Sequence, residues 1–265
     1  EARNLSGGLY VRHRGVTNNT FVDNVVRGSL GILVRDGASN NTFRNTHIAD
    51  ARYAIIYMDT AEDDGAQFAG KNNLFVNTVM LRSTVCAISF HDYDRESPAF
   101  DNAIRHATVV GAPHLFCGRR ANYGNTISSS IIVDVAAYKE GDKPVDVAFD
   151  HTLFFNNGFA TPSGEGNVAL DPQFVDAAAD FHLTATSPAL DLAPAAMAPP
   201  DDIDGVKRPQ GPGFDLGAYE RVVLPGGGGA GGEGGGVHMG GNDTTTSSGG
   251  GGQTAEVRPD VPSDA

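Results

Sequence analysis

The sequence predicts an all-β protein built as a parallel solenoid, and three observations carry that prediction. One seven-residue pattern recurs as NNTFVDN at 18–24, NNTFRNT at 40–46 and NNLFVNT at 72–78, with weaker copies DNAIRHA at 101–107 and GNTISSS at 124–130. Aligned on Phe21, Phe43, Phe75, Ile104, Ile127 and Phe149, the steps are 22, 32, 29, 23 and 22 residues, a base period with insertions. Val, Ile, Phe and Thr alternate with polar residues, and no stretch keeps a helical period. The Leu-x-x-Leu-x-Leu ladder of a leucine-rich repeat is missing.

The elements follow in order. GLYV at 8–11 belongs to the earliest turn, and each later pattern is followed by a second apolar strand: GILV at 31, AIIY at 54, AISF at 87, HLFC at 114 and AAYK at 136. In a parallel solenoid like residues stack about 4.8 Å apart, so aligned Asn amides bond along the stack and aligned Phe rings pile up inside. Asn also tolerates the left-handed backbone of a sharp corner. Asn19, Asn41, Asn73, Asn102 and Asn125 therefore read as a structural ladder. Asn18 and Asn40, each in Asn-x-Thr, carry glycosylation as a competing reading. His106 and His151 share one position beside the interior and read as ladder members.

Residues 1–158 thus hold the coils. Residues 159–224 carry most of the prolines and several Asp-rich turns, and read as a C-terminal cap over apolar core and unpaired backbone. Residues 225–265 hold 15 of the 34 glycines and too little apolar surface to offset chain entropy, so a disordered tail is expected.

A net charge of −13 makes nucleic acid and anionic membranes poor partners. No apolar run reaches the roughly 20 residues of a membrane helix. In the register above, Cys86 and Cys117 lie on neighbouring turns but about four positions apart, too far for a disulfide, so two buried thiols are expected.

The repeated NNTF…N, the apolar strand and G-I-x-V-R together resemble the right-handed parallel β-helix repeats of the pectate-lyase-like superfamily. That resemblance covers residues 1–158 and implies a fold shared by lyases, hydrolases, epimerases and adhesins, so it leaves the activity open. DPQFVD…DFHLTATSPALD and DIDGVKRPQGPGFDLGAYE, within 171–220, are similar to the segment that ends many secreted bacterial β-helix proteins ahead of a surface anchor. This second resemblance implies an extracellular or cell-surface location.

Candidate chemistry sits just past the second strands. His13, Asp36, Asp59 and Asp92 share one column, and Arg12, Arg35, Met58 and His91 the column before it. Carboxylates on successive coils would lie about 5 Å apart and the outer pair about 10 Å; separations near 5 Å suit a retaining glycosidase and about 6.5–9.5 Å an inverting one, and the oxygen-rich cluster equally suits calcium. Asp36, Asp59 and Asp92 are therefore both catalytic and metal candidates. The insertions TAEDDGAQFAGK and YDRESPAF bring Glu62, Asp63, Asp64, Lys71, Tyr93, Asp94, Arg95 and Glu96 to the same side. A β-eliminating lyase needs a base and a cation: Arg95, Lys71, His91 and Tyr93 are candidates for the base, and arginine or calcium for the cation. Arg35, Lys71, Tyr57 and Tyr93 are the substrate-binding candidates. With no tryptophan, a sugar platform falls to Tyr57, Tyr93 or Tyr123. The competing reading makes the Asp column solvated turn residues paired with Arg. DDIDG at 201–205 lacks the later ligands of a calcium loop and reads as a turn. Two functions remain open: a non-catalytic surface scaffold for glycans or other partners, and a polysaccharide lyase or glycoside hydrolase.

Overall fold

The structure, a computed structural model, describes residues 8–59, 69–92, 98–118, 121–142 and 144–222; for Met58, Asp59 and Asp92 it describes the backbone alone. The expected tail at 225–265 lies outside the described residues. The protein is all-β, with parallel strands stacked repeat on repeat, an arrangement compatible with a solenoid.

The alignment on Phe21 holds in space. Phe21 pairs with Phe43, Phe43 with Phe75, Phe75 with Ile104, Ile104 with Ile127 and Ile127 with Phe149. Their side chains face inward, Phe43 stacking on Phe21 at 5.0 Å and on Phe75 at 4.3 Å. A second stack runs Leu9–Arg12, Ile32–Arg35, Tyr53–Asp59, Cys86–Asp92 and then the far end of Ala103–Gly118. Ala38–Ser39, Gly70–Lys71, Ala99–Phe100 and Asn122–Tyr123 form a narrow four-stranded sheet between them.

The repeated asparagines bend and lock the corners. Asp23, Asn45, Asn77, His106, Ser129 and His151 occupy one column, all with φ between 42° and 56°. Short polar side chains tolerate this left-handed backbone, and the bend there splits each long strand into two faces. The two histidines are ladder members, as expected. Beside them Asn41 donates to Asn73, Asn73 to Asn102 and Asn102 to Asn125, through both backbone N–H and Nδ2 at 3.0–3.2 Å. Asn40 belongs to another left-handed column, with Asn18, Asn72 and Asp101, and accepts from Asn72 Nδ2 at 3.2 Å, which favours its structural reading.

Two expectations change. Cys86 and Cys117 form a disulfide with Cα atoms 5.8 Å apart. HLFC is shifted by one from the sequence register, pairing Cys117 with Ser89 and Phe116 with Ile88. A one-residue slip exchanges the two faces of a strand, so Cys117 points outward, where Cys86 also lies, rather than inward beside Phe90. The strand also bends. Ala87 and Ile88 both face the interior in succession, which breaks the alternation and brings Cys86 closer than three flat residues would allow.

The segment expected to cover an end does so only in its first part. Val168–Ala169 pairs with Leu153–Phe154, and the Phe159 ring packs edge-on against Phe154 and Tyr138. Residues 171–222 instead turn back as a strap along one side. Phe181, Leu183, Ile203, Leu216 and Tyr219 cover the outward residues Val79, Val110, Ile131, Val133 and Leu153. The sequence reason is that runs such as TVML and IIV are apolar on both faces, as in strands covered on both sides. Asp202 makes the DDIDG segment a turn, accepting from Asp204 and Val206 N–H at 2.8 Å each.

Candidate functional site

The column beside the second strands divides in two. Arg12 pairs with Arg35, Arg35 with Met58 and Met58 with His91, as the spacing predicts. Asp59 pairs with Asp92 in the same register, which sets two carboxylate-bearing residues on adjacent repeats. Asp36 does not join them in strand geometry. Its strand ends at Arg35, and Asp36 takes a left-handed turn with φ 52°. Its side chain is fully buried and accepts from Arg12 Nε at 3.1 Å and Arg35 Nε at 3.0 Å.

That arrangement decides what Asp36 does. A carboxylate committed to two guanidiniums is a poor base and a poor calcium ligand, because both roles need its lone pairs. Asp36 therefore leaves the catalytic and metal candidates as a structural anion, and Arg35 leaves the substrate-binding candidates with it. We expect Asp36→Asn to lower stability by about 1–3 kcal/mol, through the loss of charge-assisted bonds in a buried site. Chemical denaturation measures it, and calcium and glycan binding should stay as in wild type; a neutral substitution in stability would refute the anchoring role.

Tyr57 is corrected outright. It is 1% exposed and its ring stacks inside on Phe90 at 5.7 Å, so it offers no surface to a sugar. The cause is alternation: Ile55 and Tyr57 both face the core cluster. His91 is half-buried and its ring lies 6.2 Å from that of Tyr53. Lys71 lies on the narrow sheet with Nζ 4.8 Å above the Phe100 ring, and Phe100 stacks on Tyr123 at 5.0 Å. Phe100 is thus flanked by Lys71 and Tyr123, while Tyr123 on the edge strand stays exposed. Tyr93, Arg95 and the acids at 62–64, 94 and 96 lie outside the described residues.

A histidine cluster on the strap was not singled out by spacing. His182 Nδ1 lies 2.5 Å from Asp180 and Nε2 lies 2.9 Å from Asp204, with the ring against Tyr219. Two carboxylates on two ring nitrogens suit the imidazolium, which donates from both. Burial alone lowers the His182 pKa, but the bonds to Asp180 and Asp204 outweigh it and raise it above 6.5. The bond from His182 in turn holds Asp180 below 3.8. The His182 contribution is therefore full below pH 6.5 and lost as pH rises through the raised value, while the Asp180 contribution is full above 3.8 and lost as pH falls. Thermal midpoints should peak between those limits, and His182→Gln should flatten the alkaline side. An unchanged alkaline slope would remove the cluster from the account. His106, by contrast, is pushed down to about 3 by burial and by Arg208, and stays neutral.

Among the described residues, Cys86, Cys117 and Glu140 each bring one ligand-type atom within 4.8 Å of the others. No helix there is long and apolar enough to cross a membrane. No protein-family model matches the chain, and the search of curated proteins finds no significant relative.

Proposed function

We propose that the protein is a secreted or cell-surface right-handed parallel β-helix of about six to seven coils, with a pectate-lyase-like fold, acting as a non-catalytic scaffold. The edge where Tyr53–Asp59 and Cys86–Asp92 end, just before the sequence insertions TAEDDGAQFAGK and YDRESPAF, binds glycans or other surface partners. The observation that carries this reading is the state of Asp36: a carboxylate of the one acidic column in the sequence is buried between Arg12 and Arg35. The Cys86–Cys117 disulfide supports the location, since such bonds persist in oxidising compartments.

The register of Asp59 with Asp92 favours a second reading, a polysaccharide lyase or glycoside hydrolase. A glycan array identifies ligands. A panel of uronic-acid and neutral polymers, followed by the ultraviolet absorbance of unsaturated products and by reducing ends, reports turnover. The scaffold reading expects binding without turnover. Turnover that disappears in both Asp59→Asn and Asp92→Asn would replace it with the enzyme reading.

A further inference from the structure

Cys86, Cys117, Glu140 and Ser89 meet on the outer side of the second strand stack. Cys117 is the register partner of Ser89 on one side and of Glu140 on the other. Cys86 reaches the same spot across the bend and is joined to Cys117 by the disulfide. Cys117 Sγ lies 3.3 Å from Glu140 Oε2, and one ligand atom from each of Cys86, Cys117 and Glu140 lies within 4.8 Å of the others. The Ser89 hydroxyl is fully buried and has no hydrogen-bond partner. The wall is apolar, built from Leu33, Tyr53 and Ile56.

A disulfide uses the two sulfurs but leaves the buried Ser89 hydroxyl beside them unexplained. We infer that this cluster is a redox-gated site for a soft divalent cation of the zinc class, closed in the disulfide form and open in the dithiol form. A dithiol or phosphine reductant supplies two electrons. With two protons, the Sγ–Sγ bond becomes two thiols, and the cation then displaces both thiol protons to form two metal–thiolate bonds. Two thiolates and a carboxylate match the ligand types of zinc. With Zn–S near 2.3 Å and Zn–O near 2.1 Å, a tetrahedral S···O edge is about 3.6 Å, close to the 3.3 Å between Cys117 and Glu140. The Ser89 hydroxyl is placed to donate to a thiolate or to fill the fourth position. Glu140 is half-buried. His114, the register partner of Cys86, has Nδ1 3.3 Å from the Val85 carbonyl and acts as a neighbour rather than a ligand.

Cobalt(II) is the probe, because thiolate ligation produces charge-transfer absorption and tetrahedral geometry produces strong visible bands. The full chain is reduced with a phosphine, which competes less than a dithiol for the metal, and titrated anaerobically beside the oxidised chain. One equivalent should bind the reduced form with thiolate charge transfer, none should bind the oxidised form, and zinc should displace the cobalt. Glu140→Gln should weaken binding at least about tenfold while leaving the charge transfer in place. Cys86→Ser/Cys117→Ser should abolish the charge transfer, with circular dichroism reporting that each variant keeps its β-structure. No charge transfer in the reduced wild type, equal binding by the oxidised form, or loss of β-structure on reduction with cobalt present would each overturn the inference.

Discussion

Asn73→Ala should lower the free energy of unfolding by about 3–5 kcal/mol, through several buried polar groups losing their partners at once. Asn73 is 1% exposed. Its Oδ1 accepts from Asn41 N–H at 3.1 Å and Asn41 Nδ2 at 3.2 Å. Its Nδ2 donates to the Ala38 carbonyl at 3.2 Å and to Asn102 Oδ1 at 3.1 Å. Alanine strands a backbone N–H and a backbone carbonyl where water does not reach, each costing about 1–3 kcal/mol. Asn19 begins the same ladder but is exposed, donating to Asn41 Oδ1 and to the Thr17 carbonyl. Asn19→Ala should therefore cost under about 1 kcal/mol. Urea unfolding reads both, as a shift in midpoint at constant slope. Equal shifts for the two variants would mean that the ladder does not carry the stability assigned to it.

The ladder also shows why so much of the fold was legible in the sequence. Stacking forces each residue to satisfy the same neighbours as its counterpart one repeat away, so asparagines and phenylalanines recur where geometry repeats. Where the repeat loosens, the sequence no longer specifies the register. Leu115, Phe116 and Cys117 are apolar in succession, so alternation does not choose the register of HLFC, and a shift of one residue together with the bend at Ala87 and Ile88 hides the pairing of Cys86 with Cys117. The strap was hidden similarly, because Val79, Val110 and Ile131 face outward within runs that look like plain core. The candidate site was legible in its columns and not in its backbone. Asp36 and Asp59 stand equally far past their strands in sequence, yet Asp36 leaves in a left-handed turn between two arginines while Asp59 continues the strand. His182 carried no signal by spacing, because its partner Asp204 lies 22 residues on, across the strap.

Arg208→Met should cost about 3–5 kcal/mol near neutral pH, since it removes one partner of a buried ion pair. Both side chains of Arg208 and Glu220 are fully buried, with Nη1 3.0 Å from Oε2. Arg208 also donates to the carbonyls of Asp215 and Gly217, at 3.0 and 2.9 Å. Glu220 accepts from the N–H groups of Gln210 and Asp215, and its own N–H donates to Asp202. The residues of DIDG, RP and GAYE are thus one network that folds the strap, which gives the motif a structural role. Burial already raises the Glu220 pKa above 4.5. A raised carboxyl stabilises the fold fully below its unfolded pKa, and that contribution is lost as pH rises through the folded value. Removing the guanidinium raises Glu220 further, so the cost of Arg208→Met should shrink at about pH 4, where the carboxyl takes up a proton. Unfolding measured at both pH values tests this, with limited proteolysis expected to cut the variant first within 171–222. A loss of the same size at both pH values would show that the damage comes from packing or from the stranded carbonyls, and not from an unpaired charge under the strap.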